Sequence, residues 1–310
     1  MHNTSILHQR LETLSAVILR HYPQLFPAVF ALLAVFGSML LAGRRRPLSL
    51  VFEGASGSGK TTVIQMAFPM NGHRLEKFAY RSDKFTPKAF VTHAANVSKA
   101  RLKEIDMLPK LANKVLLTKE LAPIFRGREE ELTENFSTLI SVLDGEGFIS
   151  NSGVQSQRGY VEHIVFNWIG GTTPIPRKTF RLMTTLGNRL IFYGIEPLEA
   201  SEDELVEFAK DDNGSQAQSE CRQAVNDFLA DLMESYPVGS IPPEDIAIPE
   251  PQRISLVRWA TLVSHGRAGQ GNDPETEGPS RETPEVPYRL IESFKELARY
   301  SQPPVAGHQG

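Results

Sequence analysis

Eight residues, Gly54-Ala55-Ser56-Gly57-Ser58-Gly59-Lys60-Thr61, restrict what this chain can fold into more than any other stretch. They fit G-x-x-x-x-G-K-[ST], a pattern that functions as the turn between a strand and a helix. In that setting the N–H groups of the turn and of the helix N-terminus converge on phosphate oxygens. The flanks agree with it. Residues 48–52 are an apolar run that reads as the strand, and residues 62–67 read as the opening of the helix. Gly54, Gly57 and Gly59 let the backbone bend and approach a ligand closely. Ala55, Ser56, Ser58 and Thr62 complete the expected cradle. Lys60 is expected to reach the β- and γ-phosphates of a bound nucleotide, ATP, and Thr61 to offer its hydroxyl to Mg²⁺.

Around this motif the chain predicts an α/β fold, a mostly parallel sheet flanked by helices, because strand-like and helix-like stretches alternate after the loop. Three parts are expected. Residues 1–45 form two helices packed on the core, the first with Ile6, Leu7, Leu11, Leu14, Ile18 and Leu19 at helical spacing. Residues 46–196 form the nucleotide-binding core, with short strands at 75–80, 89–94, 115–118 and 190–195. In that core a helix covers 129–143, a hairpin 144–160, and an apolar run ends at Thr172-Thr173. Residues 197–310 form a helical lid with helices at 204–210, 217–236, 253–266 and 288–300. Its stretch 267–286, poor in large apolar residues, is expected to be a disordered loop.

A P-loop ATPase also needs a carboxylate at the end of a second strand, to order a metal or activate water. Glu120, after Val115-Leu116-Leu117-Thr118-Lys119, is the candidate for both roles; the alternative is a solvated acid at a strand end. The usual order is four apolar residues, then Asp, then Glu, so Lys119 stands where the Asp is expected. Asp106 and Asp83 are weaker stand-ins. Thr172 and Thr173 can sense a γ-phosphate or act as local turn caps. Arg189, before a core strand, can reach a neighbouring subunit's nucleotide or form a surface ion pair. Arg289, opening the last helix, can contact the same nucleotide from the helical lid, or have no part in the site. Asn167 lies within its strand and can face either side.

Composition narrows the partners. The net charge of −3 over 310 residues supplies no overall positive field, so nucleic-acid binding would need a local basic surface. One cysteine, Cys221, excludes an internal disulfide and a cysteine-built zinc site, and fits a reducing, cytoplasmic setting. Residues 22–43 carry no charge and end at Arg44-Arg45-Arg46, which is long enough to span a bilayer. Pro23, Pro27, the Gly37-Ser38 pair and the short tether to the P-loop strand favour a buried helix instead. Arg10, Glu12 and Arg20 ahead of that run argue against a secretory signal.

Taken in order, the P-loop, the strand with Glu120, the polar end at Thr172-Thr173, Arg189 and a helical lid with Arg289 resemble an AAA+ ATPase. The hairpin between the Glu120 and Thr172 strands is similar to the insert of the minichromosome-maintenance and superfamily 3 helicase branch. The run LLTKELAPIFRGREEELTENFSTLISVLDGEGF, with RGYVEHIVFNWIGGTTPIP and PYRLIESFKELAR, also resembles ATP-binding proteins of bacteria and their mobile elements. The resemblance covers about residues 45–300. It implies ATP bound between subunits of a homo-oligomer, hydrolysis coupled to DNA remodelling or unwinding, and a hairpin tip near residues 153–159 touching DNA through Arg158. A slow or non-hydrolysing nucleotide switch is the alternative that Lys119 favours. The resembling ATPases often continue into a winged-helix module, which this sequence does not show after its last helix.

Overall fold

The run Ser49–Glu53 is extended because its side chains are needed on both faces at once: Leu50 and Phe52 enter one core and Val51 the other. This strand, β1, is the middle of the molecule. The computed structural model describes residues 2–92, 99–150, 158–176, 179, 182–183, 189–196, 214–267, 270–272, 279–281 and 288–300. In chain order the helices are α1 (His2–His21), α2 (Phe26–Ser38), α3 (Lys60–Met66), α4 (Lys99–Ile105), α5 (Leu108–Leu111), α6 (Ala122–Phe125), α7 (Glu129–Val142), α8 (Gly214–Ser235), α9 (Glu250–Arg267) and α10 (Tyr288–Tyr300). The strands after β1 are β2 (Ala79–Arg81), β3 (Val115–Thr118), β4 (Phe148–Ser150), β5 (Arg158–Tyr160), β6 (Asn167–Thr172), β7 (Leu190–Gly194), β8 (Gln270–Asn272) and β9 (Pro279–Arg281).

The central sheet has five strands in the order β2-β3-β6-β1-β7, and every pairing in it is parallel. This is the expected α/β architecture, a parallel sheet flanked by helices. All five carboxyl ends share one edge, the edge where ligands bind in open α/β sheets. β6 lies between the P-loop strand and the Glu120 strand, so the ends of β1, β6 and β3 stand side by side.

Two cores fill the two faces. On one, Val63, Ile64 and Met66 of α3 pack with Leu50, Phe52, Leu117, Ile169, the N-terminal helices and α8. On the other, Leu132, Phe136, Leu139, Val142 and Leu143 of the α7 segment pack with Val51, Leu116 and the fully buried Trp168. The apolar face expected for residues 129–143 is thus the buried one, with Ile140 at its margin. In α1, Leu14 and Ile18 are fully buried while Ile6 and Leu19 face outward.

The uncharged run 22–43 is explained by burial. α2 is 13 residues long and packs against the sheet, α8 and α10. Among the described residues no helix is long and apolar enough to cross a membrane. Arg44, first of the basic triplet, turns inward and donates to Asn167 Oδ1 at 2.5 Å. Asn167 is fully buried, accepts also from Leu48 N at 2.9 Å, and donates to Val35 O and Ser38 Oγ at 2.6 and 2.8 Å. Its side chain therefore ties α2 to the amino edge of the sheet, away from the crevice.

Three local expectations are corrected. Residues 75–80 are not one strand: Arg74–Lys77 is a 3-10 turn and pairing begins at Ala79. The cause is local bonding, with His73 Nδ1 accepting from Leu75 N and Glu76 Oε1 from Gly72 N. Residues 89–92 are not a strand either, since Pro87 opens another 3-10 turn; 93–98 lie outside the described residues. Within 267–286, Gln270–Asn272 pairs antiparallel with Pro279–Arg281. The helix expected at 204–210 lies outside the described residues, as do 153–157 of the hairpin tip expected near 153–159, while 158 and 159 belong to β5.

Candidate functional site

Gly54 to Thr61 joins β1 to α3, as the motif requires. Gly59 caps α3 with φ +93°, a conformation that glycine adopts without strain. A Cβ there would also stand 2.8 Å from Leu25 Cδ2, so the N-terminal segment is seated directly against the loop. Ala55, Ser56, Gly57 and Thr61 are exposed, Thr62 is half-buried, and Ser58 and Lys60 are buried.

Lys60 Nζ turns back into its own loop, donating to Gly54 O at 2.8 Å and Ala55 O at 2.6 Å, with Ser58 Oγ at 3.4 Å. It thus lies in the concavity that the motif reserves for phosphate oxygens. Burial holds its pKa below the ordinary lysine value, while the Glu120 carboxylate pulls the other way. Lys60 and Glu120 therefore face one electrostatic environment, although 60 residues of chain divide them.

Glu120 is exposed beyond β3 and its Oε1 accepts from the N–H of Ala122, first residue of the short helix α6, at 2.8 Å. Thr172 is buried; its hydroxyl donates to Thr173 O at 2.9 Å and its own carbonyl accepts from Gly54 N at 3.3 Å. The end of β6 is thereby fastened to the first residue of the P-loop. Thr173 Oγ1 accepts from Arg126 Nη2 at 2.9 Å. Arg126 follows α6 directly, so one short helix carries Glu120 at its head and a guanidinium at its foot. No motif pointed to Arg126. Glu53, last in β1, was also missed; it precedes the first P-loop glycine and accepts from Ile175 N at 3.1 Å.

The structure does not gather every expected residue here. Asp106 is buried and accepts from Thr92 N, Thr92 Oγ1 and Tyr160 Oη at 2.7, 2.5 and 2.8 Å, so its carboxylate anchors the base of the β4–β5 hairpin. Burial, with Asp106 second, raises the Tyr160 pKa well above the ordinary phenol. Asp83 is bound by Arg81 at 2.9 and 2.6 Å and is 3.5 Å from Lys119 Nζ; the Arg81 hydrogen bonds chiefly lower its pKa. Arg189 precedes β7, on the amino edge, and binds Asp144 through Nε and Nη2 at 3.2 and 2.8 Å. Within one chain it lies roughly a strand's length, ~16 Å, from the phosphate loop. Arg289 lies in α10, and its side chain is outside the described residues. Arg158 is half-buried at the start of β5.

A magnesium ion expected at Thr61 and Glu120 finds a poor protein donor set. Thr61 offers one hydroxyl, Glu120 is engaged by Ala122 N, and a lysine occupies the expected acid position. Among the described residues no group of three His, Cys, Asp or Glu could hold a metal ion. A magnesium ion that accompanies a nucleotide takes most of its ligands from phosphate oxygens and water, so the share left to Thr61 and Glu120 would be small.

No family model matches the chain, and no curated protein matches it. Among solved structures it is similar to the apo NrS-1 C-terminal region, at 13% identity and a TM-score of 0.34 over 82% of this chain and 54% of that one. It is also similar to JCV helicase, at 13% identity and a TM-score of 0.30 over 84% of this chain and 72% of that one. A ligand-bound JCV helicase structure gives 14% identity and a TM-score of 0.30 over 82% and 67%. The chain spans about half the length of the NrS-1 region. At these scores the neighbours add nothing to what the chain's own residues carry.

Proposed function

We propose that the protein binds ATP at Gly54–Thr61 and hydrolyses it as an AAA+-type ATPase that acts on DNA in an assembly of like subunits. The observation that supports this most is the P-loop itself, placed between a central parallel strand and a helix, with its lysine turned into the loop. On ATP binding, Lys60 exchanges two carbonyl oxygens for phosphate oxygens, a stronger charge-assisted pairing. Glu120 serves as general base toward the attacking water, and Thr172 and Thr173 report the terminal phosphate. Arg189, far from the loop in its own chain, acts from a neighbouring subunit, and Arg289 contacts the nucleotide from the lid. DNA is the proposed substrate through the β4–β5 hairpin and Arg158.

The deciding experiment is phosphate release from ATP by the full chain, with and without single- and double-stranded DNA, beside Lys60→Ala and Glu120→Gln. DNA-stimulated turnover that both variants lose supports the proposal. ATP binding without turnover under every condition removes the motor and leaves a switch.

That second reading has its own observation: Lys119 takes the place of an acid, and one oxygen of Glu120 already accepts from Ala122 N. A protein that binds ATP and turns it over slowly suits both facts. Turnover in Lys119→Asp separates the two readings, since a large gain belongs to the switch and little change to a working motor.

A further inference from the structure

Lys119 is placed to do more than stand in for an acid. Lys119 follows β3 directly, and its side chain reaches Phe68, a member of the core that Leu117 shares with α3. Gly171 shows how near the two lysines run. A Cβ on Gly171 would lie 2.8 Å from Lys119 O, 3.0 Å from Ile64 Cδ1 and 3.8 Å from Lys60 Cβ. The main chain of Lys119 and the stem of the P-loop lysine thus flank the same bare spot on β6. The Lys119 side chain lies along Phe68, just past α3, with Nζ 5.4 Å from the ring centre.

The ion pair that holds Lys119 is weak. Asp83 Oδ2 is 3.5 Å away, side chains 28% and 43% exposed, and Asp83 is already matched by two bonds from Arg81. Exposed pairs of this kind contribute little, and a lysine ammonium on its flexible stem re-aims readily. An acid at this position would recruit a divalent cation to the triphosphate; an ammonium there supplies positive charge itself.

We infer that Lys119 is a second phosphate-binding lysine. With ATP in the P-loop, the reading on which this rests, Lys119 leaves Asp83 and meets the terminal phosphate opposite Lys60. The affinity for ATP is then largely independent of divalent cations, because a second ammonium supplies at the terminal phosphate the positive charge that a cation would otherwise bring.

The test is calorimetric titration of the full chain with ATP and with ADP, in magnesium and in EDTA. Wild-type protein should bind ATP in EDTA within about threefold of its affinity in magnesium, and Lys119→Ala should lose roughly tenfold in EDTA, more for ATP than for ADP. Asp83→Asn keeps the lysine and removes its partner, so it should retain wild-type binding of ATP in EDTA. The proposal is overturned if wild-type binding of ATP collapses in EDTA, if Lys119→Ala binds as wild type does, or if Asp83→Asn loses as much as Lys119→Ala. Lys60→Ala is the control for the P-loop itself: nucleotide binding undiminished in that variant would sink the P-loop reading rather than the role of Lys119 within it.

Discussion

At the scale of single residues, two buried polar side chains divide the labour between site and scaffold. Lys60 is held by carbonyls that any phosphate would displace, so Lys60→Ala should abolish ATP binding while leaving the melting temperature close to wild type. Asn167 uses both amide hydrogens and accepts two bonds through Oδ1, all within the protein. Its replacement by alanine strands Leu48 N in the core, whereas the Val35 carbonyl keeps its bond from Ser38 Oγ, and should cost about 1–3 kcal/mol in urea denaturation without touching nucleotide affinity in the folded fraction. Cys221 is a third case. Burial first, then Glu220, pushes its thiol up to about 11. Its folded pKa lies above the ordinary value of 9.0, so folding gains nothing from it at neutral pH, and stability falls as pH rises from about 9 toward 11. Thiol labelling at neutral pH should therefore track unfolding; prompt labelling of native protein would contradict the burial. Of the candidate site, the turn Gly54–Thr61 between β1 and α3 and the position of Glu120 just past β3 were legible, the first from residue types at fixed spacing and the second from the apolar run before it. Arg126 and Glu53 were not, because a lone arginine after a short helix and a strand-end acid occur in every fold.

At the scale of elements, strands and helices with strong periodicity were readable, and segments ruled by local side-chain bonding were not. Residues 115–118 were expected as a strand and are one, since Val115, Leu116 and Leu117 must be covered on both faces of a parallel sheet. Residues 75–80 carry a similar apolar content, yet His73 and Glu76 bond the backbone locally and defer the strand to Ala79. The hairpin shows how an element can be anchored by chemistry far from it in sequence. Tyr160 in β5 donates to the buried Asp106, whose carboxylate also receives Thr92. Tyr160→Phe should cost about 1–3 kcal/mol, because a buried carboxylate loses one donor and gains none. Faster amide exchange in β4 and β5 than in the central sheet of the same variant would locate that loss in the hairpin; uniform change across the molecule would speak against it.

At the scale of the whole molecule, the parallel sheet decides where chemistry can occur. Arg189 and Asn167 lie on the amino edge and the phosphate loop on the carboxyl edge. An arginine that serves ATP from the amino edge must therefore serve another subunit's nucleotide. Arg189→Ala should lower turnover steeply while ATP binding to the isolated chain stays within about twofold of wild type, a split between catalysis and affinity. Mixing it with a Lys60→Ala chain, each intact where the other fails, should restore part of the turnover if sites are shared between subunits. The order of the chain adds a demand of its own. Leu14 and Ile18 of α1 are covered by α8, to which Arg10 is bound through Asp231 at 3.0 Å. Roughly two hundred residues separate these helices, so at 5–20 residues per second α1 leaves the ribosome about 10–40 s before the surface that covers it. Throughout that interval the part of the α1 stripe that α8 covers stays open to other apolar surfaces, which makes α1 a segment of this protein that a chaperone would protect.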